Sequence, residues 1–279
     1  MPLRFVLYSA GVLAPGINSL EELLTLFRTG KPGVSEPLAL PIPTLLPANE
    51  RRRASEAARL VLACAEQAML TSPCPPDQFR CVFTSDEGSG EVCQQMLEAL
   101  ATTRQVSPLL FHNSVHNAPS GYFSIAYQNR QPAVSVSLGR ESFASGLLCA
   151  VTEVATSGQP VLFLAYDLTI PEPMLSLLPI REATATAWII GSDNADERPG
   201  ATVDSSARPP LASFELSLHH AGESPDQSPP QWLPRSWAAN SSAQSFAVLA
   251  LLADGHGSCE FVLGAQRLRV TVMDAAVSC

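Results

Sequence analysis

Val161–Tyr166 reads VLFLAY, apolar at every position, and Thr184–Ile190 reads TATAWII, interrupted only by threonine. A strand with one face in water alternates apolar and polar residues, whereas an unbroken apolar strand is buried on both faces. A sheet buried on both faces is covered by helices, so these two segments restrict the chain to a layered α/β architecture. The remaining periodicity agrees. Arg4–Tyr8, Phe79–Thr84, Val134–Ser137 and Leu211–Leu218 are strand candidates. Phe261–Leu263 and Leu268–Val272 can form a terminal hairpin around Gly264 and Gln266. Helical spacing falls between them. Asn18 or Ser19 caps a short helix through Leu26, and a long Ala-rich amphipathic helix covers about 49–69. A third spans Ser89–Thr103 with Val92, Met96, Leu97 and Leu100 on one face. Two more cover Ser142–Thr156 and Gln244–Leu252. Strands alternating with helices predict a largely parallel or mixed sheet.

Proline and glycine mark the connections. Pro32–Pro47 reads as an extended segment lying across the body or a partner. Pro73–Pro76 ends the long helix. Residues 193–210 and 221–234 read as exposed loops. Asp86, Glu87, Gly88 and Gly90 form a strand-to-helix turn. It lacks the GxGxxG pattern and carries two acids, so a tight structural turn is expected rather than an anion site.

Bulk properties exclude several functions. The 279 residues suffice for a sizeable core. A formal charge of −9 argues against a nucleic-acid surface. The only dense basic run, Arg51–Arg53, is flanked by Glu50 and Glu56. No stretch reaches the roughly 18 apolar residues of a membrane span, and no N-terminal signal peptide is read. The seven cysteines contain no CxxC pair, which argues against a zinc ribbon. Cys64, Cys81 and Cys149 sit in apolar patterns and read as core, so a reducing cytoplasm is the expected compartment. His112 and His116 are four apart, but no Glu completes an HExxH motif. Asn113, Asn117 and Pro119 predict irregular backbone there, so no metal is expected. His219 and His220 read as surface, and Asp167 as a turn cap at a strand end.

One order of motifs carries more. Ser107-Pro108 leads to Asn113, Asn117, Ala118 and Pro119, and a turn over Gln128–Pro132 follows. Strand Val134–Ser137 then leads to Ala144-Ser145-Gly146-Leu147 at the start of an apolar helix. This order resembles the nucleophile region of the β-ketoacyl synthases, members of the thiolase-like superfamily. The resemblance spans roughly residues 40–190 and implies a thiolase-like α/β fold, the ketosynthase N-terminal half, with a mixed sheet packed by helices and an abbreviated second half. It further implies one ketosynthase-like domain over 1–279, in which 1–190 is the nucleophile half and 191–279 a divergent remainder.

In the family a catalytic Cys precedes Ala-Ser-Gly. Here that residue is Phe143, or Arg140 if the three residues Gly139–Glu141 are not counted as an insertion. Neither register supplies a thiol. Ser142 is adjacent, but no base accompanies it. Gly255-His256-Gly257-Ser258 is only superficially similar to the family's His motif. Ser142-Phe143-Ala144-Ser145-Gly146-Leu147 is similar to a run in ketosynthase-like proteins of aryl polyene clusters. It implies a non-catalytic chain-length factor that pairs with an active β-ketoacyl synthase as a heterodimer and meets acyl carrier protein only indirectly. No cofactor is implied. Asn113, His116, Asn117, Pro119, Ser142 and Phe143 would then line the tunnel or the partner interface. Phe143 would plug the vestigial pocket, line the shared tunnel, or simply fill core. An independent acyltransferase and a stand-alone acyl-chain binding module are the alternatives.

Overall fold

The computed structural model describes residues 2–30, 38–193, 209–220 and 234–275. The first part of the Pro32–Pro47 segment and most of the two loops expected over 193–210 and 221–234 lie outside them. Strands β1 (Leu3–Leu13), β2 (Arg80–Thr84), β3 (Ala133–Val136), β4 (Val161–Asp167), β5 (Thr184–Gly191), β6 (Ala212–His220), β7 (Ser258–Leu263) and β8 (Gln266–Ala275) form one mixed sheet. Its order is β3-β2-β4-β5-β1-β6-β8-β7. β2 runs parallel to both β3 and β4, and every other pairing is antiparallel. The β7–β8 pair is the expected terminal hairpin.

The unbroken apolar strands are explained by two cores. In β4, Val161, Phe163 and Ala165 face α7 (Ser142–Ser157), α1 (Leu20–Thr29) and α8 (Ser245–Asp254). Leu162, Leu164 and Tyr166 face α3 (Glu56–Met69) and α6 (Ala118–Tyr127). β5 divides the same way, with Trp188 and Ile190 on one side and Ala187 and Ile189 on the other. Burying one such side chain contributes roughly 1.5–3 kcal/mol, so a strand used on both faces contributes twice over.

β1 is longer than the Arg4–Tyr8 segment predicted for it, because a bulge hides its second half. Leu7 pairs with Ile190 but Ser9 pairs with Ile189, so one residue is extra. A one-residue slip reverses which side chains face which core. Val6 and Tyr8 face α3 before the bulge, and Leu13 faces it after. Beyond the bulge, Ser9 Oγ donates to Ala68 carbonyl of α3 at 2.8 Å. At Gly11 a Cβ would stand 2.2 Å from the Cys64 carbonyl oxygen, so only glycine lets the helix approach this closely.

Three further expectations are corrected. The helix predicted over 49–69 is two: α2 (Ala48–Arg53) and α3. They are separated at Ala54 and Ser55, and Ser55 Oγ caps α3 by accepting the Ala58 N–H. The irregular backbone expected around Asn113 and Pro119 is two helices, α5 (Pro108–Ser114) and α6. Ser107 accepts from the Leu109 N–H, and proline lies in the first turn of each helix, where its missing N–H costs nothing. His112 lies in α5 and His116 beyond its end, so the two do not share a helix face. Finally, the apolar face read on α4 (Gly90–Thr102) is not a core face: of Val92, Met96, Leu97 and Leu100 only Val92 is buried, and Leu97 is 53% exposed.

Candidate functional site at the carboxyl ends of β2, β3 and β4

Three parallel strands end together, at Thr84, Val136 and Asp167, and the helices that follow β2 and β3 begin there. In open α/β sheets this edge is where ligands and chemistry are placed. Here it divides into a closed corner and an open face.

The closed corner is the start of α7. Ser142 is fully buried; its Oγ accepts the Leu138 N–H at 2.8 Å and its carbonyl accepts Thr84 Oγ1 at 2.7 Å. Phe143 is also without exposure. Its ring centroid lies 5.1 Å from Phe261, 5.8 Å from Phe163 and 5.8 Å from Trp188, in edge-on or tilted contacts. These partners come from β7, β4 and β5, so three strands converge on one side chain. The Phe143 N–H donates to Ser241 Oγ at 2.8 Å. A free amide at a helix start favours an anion, and Ser241 removes that use. At Gly146 a Cβ would lie 2.7 Å from Thr84 Cβ, so the glycine lets α7 sit directly on β2. Arg140, the alternative position in the motif, is exposed and donates to the Ala238 carbonyl at 3.1 Å. Cys149 is half-buried further along α7, and burial pushes its thiol pKa up, as does Glu153. His219, His220 and His256 are exposed.

Asp167 joins the two parts. Its Oδ2 accepts the Ser242 N–H at 2.7 Å, and its Oδ1 accepts the Asp86 N–H at 2.8 Å and Ser85 Oγ at 3.4 Å. It therefore caps two turns at once. Complete burial raises its carboxyl pKa to about 6, against the pull of those N–H groups and with a further push from Asp86. The Asp86–Gly90 turn is tight, with Gly88 at φ 85°. Ser137 Oγ donates to the Asp86 carbonyl at 2.7 Å, which ties the turn to the approach of α7.

The open face lies beside this turn, on α4, α5 and the start of α6. Asn113, His116 and Pro119 line a pocket of about 110 Å³ with Glu87, Cys93 and Tyr166. Asn113 Nδ2 donates to the Arg53 carbonyl at 3.0 Å, while its buried Oδ1 has no partner. His116 Nε2 is buried without a partner. Burial lowers the His116 pKa. Asn117 is exposed and contributes its carbonyl, which accepts Ser120 Oγ at 2.8 Å and so starts α6. Of the six residues read from sequence, Asn113, His116 and Pro119 thus come together, Asn117 lies at their edge, and Ser142 and Phe143 lie in the interior across the Asp86 turn.

A further feature of this face was not read from sequence. Leu97, Leu100, Leu109, Phe111 and Val115 are all exposed, Phe111 by 64%. A signal was present: from Gln105 to Asn129 no residue is Asp, Glu, Lys or Arg. Depletion of charge with exposed aromatic and aliphatic residues marks a contact surface. Beside it β3, at the end of the sheet, pairs only with β2 among the described strands. No described helix is long and apolar enough to cross a membrane.

Comparison with known proteins gives the frame. No curated protein sequence matches the chain. Among solved structures, a ketosynthase in complex with its chain length factor from Xenorhabdus doucetiae superposes with a TM-score of 0.70 at 22% identity, covering 96% of this chain and 99% of that one. The ishigamide ketosynthase/chain length factor gives 0.71 at 13% identity, covering 97% and 99%. A type II polyketide acyl-carrier protein in complex with its ketosynthase gives 0.73 at 10% identity, covering 99% and 100%. These likenesses establish the fold. The family model "Beta-ketoacyl synthase, N-terminal domain" matches residues 29–248, which is most of the chain, and the protein therefore belongs to the β-ketoacyl synthase family.

Proposed function

We propose that this chain is a non-catalytic, chain-length-factor-like subunit of the ketosynthase fold, folded as one domain. It pairs with an active β-ketoacyl synthase in polyketide synthesis of the aryl polyene type. The observation that carries this reading is Phe143. It stands where the family has its nucleophile, fully buried under three aromatic rings, with its N–H taken by Ser241. A condensing enzyme needs a thiolate at that amide-rich helix start. A phenyl ring can only fill the space, so Phe143 acts as a plug and not as exposed tunnel lining.

Support for a partner comes from the uncharged stretch of α5 and α6, the exposed leucines of α4 beside it, and the edge of β3 that no described strand pairs. A stable interface buries about 800 Å² per partner, with an apolar, charge-poor centre, and this face has that composition. Asn113, His116, Asn117 and Pro119 would lie where a bound ketosynthase adds the second wall of an acyl tunnel. Two solved relatives carry a chain length factor in their descriptions, and a third is a ketosynthase bound to an acyl-carrier protein. Acyl carrier protein would reach this subunit through the ketosynthase. The described cysteines are all free, as a reducing cytoplasm would keep them. Against an independent acyltransferase stands Ser142, whose hydroxyl is buried and engaged by the Leu138 N–H.

The test is co-expression with a ketosynthase of the same cluster. A stable 1:1 complex is expected on affinity purification and gel filtration. A chain that purifies alone and is acylated by a thioester substrate would overturn the proposal. Within the complex, Phe143→Gly should alter product length or assembly; no change in either would remove the plug from the account.

A further inference from the structure

Residues 234–242 cross the start of α7 as a strap. Its backbone bonds are local turns: the Trp237 N–H donates to the Pro234 carbonyl, the Ala238 N–H to Arg235 and the Asn240 N–H to Trp237. Among the described residues, its ties to distant elements each use a side chain. Towards β5, the Glu182 carboxyl accepts Ser236 Oγ at 3.1 Å and Trp237 Nε1, and the Glu182 carbonyl accepts Asn240 Nδ2 at 2.7 Å. Asn240 Nδ2 also donates to Thr184 Oγ1 at 2.9 Å, which lies 2.6 Å from Ser242 Oγ in a second hydrogen bond. Towards β4, the Ser242 N–H donates to Asp167 Oδ2 at 2.7 Å. Towards α7, Ser241 Oγ accepts the Phe143 N–H at 2.8 Å, and the Arg140 side chain donates to the Ala238 carbonyl at 3.1 Å.

A strand leaves a sheet only when its ladder breaks, whereas a segment held by side chains can leave with its own turns intact. Such segments are the low-stability cooperative units of a fold. Two further observations favour separate opening. Closing leaves Asn240 Oδ1 buried without a partner, which costs the closed form free energy. The rings around Phe143 belong to Phe163, Trp188 and Phe261, none of them in the strap, so that packing does not need it. Trp237, against Phe246 at 5.7 Å, is the strap's one large apolar side chain. We infer that residues 234–242 open as one unit, with Glu182 as the latch, and that opening releases the Phe143 N–H. Closed, the strap withholds the amide at the start of α7; open, it presents a free helix-start donor. The inference rests on the strap's own bonding and goes beyond the partner reading.

The test is native-state amide hydrogen exchange of the full chain by NMR, at rising urea below the unfolding midpoint. The Phe143 and Ser242 amides stand on different segments and are both bonded across the strap. They are expected to share one opening with weak urea dependence, exchanging at least about tenfold faster than Leu164 in β4. Glu182→Ala should speed both by the same factor, on the order of tenfold for the bonds lost. Val61→Ala, in the core of α3, is the control: it should speed Leu164 and leave the Phe143 and Ser242 amides unchanged. Exchange of those two amides at the rate and urea dependence of Leu164 would mean that the strap leaves only with the whole fold. Acceleration of Ser242 alone in Glu182→Ala would mean that its two sides move independently. Either result overturns the inference, and neither touches the 1:1 complex with a ketosynthase on which the proposed function stands.

Discussion

The closed corner and the open face sit at the same ends of the same strands, yet they are opposite in kind. At the corner, Ser142, Phe143 and Ser241 are buried, the Ser142 hydroxyl and the Phe143 N–H are paired, and Trp188 Nε1 beside them has no partner. On the neighbouring face, Asn113 and His116 each keep a buried polar atom unpaired, and Phe111 and Leu97 are exposed. What sets the open face apart is exposed apolar side chains in a charge-poor stretch, the composition of a contact surface. In the proposed reading the corner corresponds to the family's nucleophile position, filled here by Phe143, and the free surface lies on the face next door. Asp167 is the joint, since its two carboxylate oxygens hold one turn of each part.

The sharpest way to break this contrast is Phe143→Ala. Removing a fully enclosed phenyl ring should destabilise the chain by roughly 3–5 kcal/mol, read as a fall in urea midpoint. A cost under about 1 kcal/mol would mean that the corner is not closed. Phe143→Cys tests the same point chemically. With Ser241 Oγ on the amide and three rings around the side chain, the new thiol should not be acylated by an acyl thioester, as followed by mass spectrometry.

The joint gives the next effect. The folded-state pKa of Asp167 is raised from 3.8 to about 6, so the protonated form is favoured in the native protein. Its contribution is present in full below pH 4, is lost as pH rises from about 4 to 6, and then stays flat. The size is about 3 kcal/mol. Chemical denaturation at a series of pH values should show this decline. Asp167→Asn should flatten part of it, with Asp86 and Glu87, both raised by burial, keeping the remainder.

The open face should behave in the reverse way to the corner. Phe111→Asp places a charge on an exposed residue, so stability should move by no more than about 0.5 kcal/mol. Its effect should appear in binding, as a loss on the order of 2 kcal/mol in affinity for a co-expressed ketosynthase. Full retention of the complex would move the contact elsewhere. The smallest effect expected is that of Ser241→Ala, which uncaps the Phe143 N–H and should cost about 1 kcal/mol of stability without affecting the complex.

How much was legible follows from range. β4, β5, α7 and the β7–β8 hairpin were readable because their signals are local: unbroken apolar runs, helical spacing and a glycine turn. The second half of β1 was not, because the bulge after Leu7 reverses the alternation that identifies a strand. α5 and α6 are hidden in the sequence because Asn and Pro read locally as helix breakers. At helix starts Pro is tolerated, and Ser107-Pro108 was the available sign. The outward apolar side of α4 could not be predicted from spacing, because periodicity shows that a face exists and not what covers it.

The sequence by itself determined the layered α/β fold, the missing thiol in both registers and the absence of charge from Gln105 to Asn129. Each is a property of residue type and order along the chain. Only the tertiary structure decided that Phe143 is enclosed, since Phe163, Trp188 and Phe261 come from strands 20 to 118 residues away along the chain. It alone separated Ser142 and Phe143 from Asn113 and His116, and left one buried polar atom of each of those two without a partner. Burial and hydrogen-bond satisfaction are set by which distant segments meet, and no local pattern carries that information.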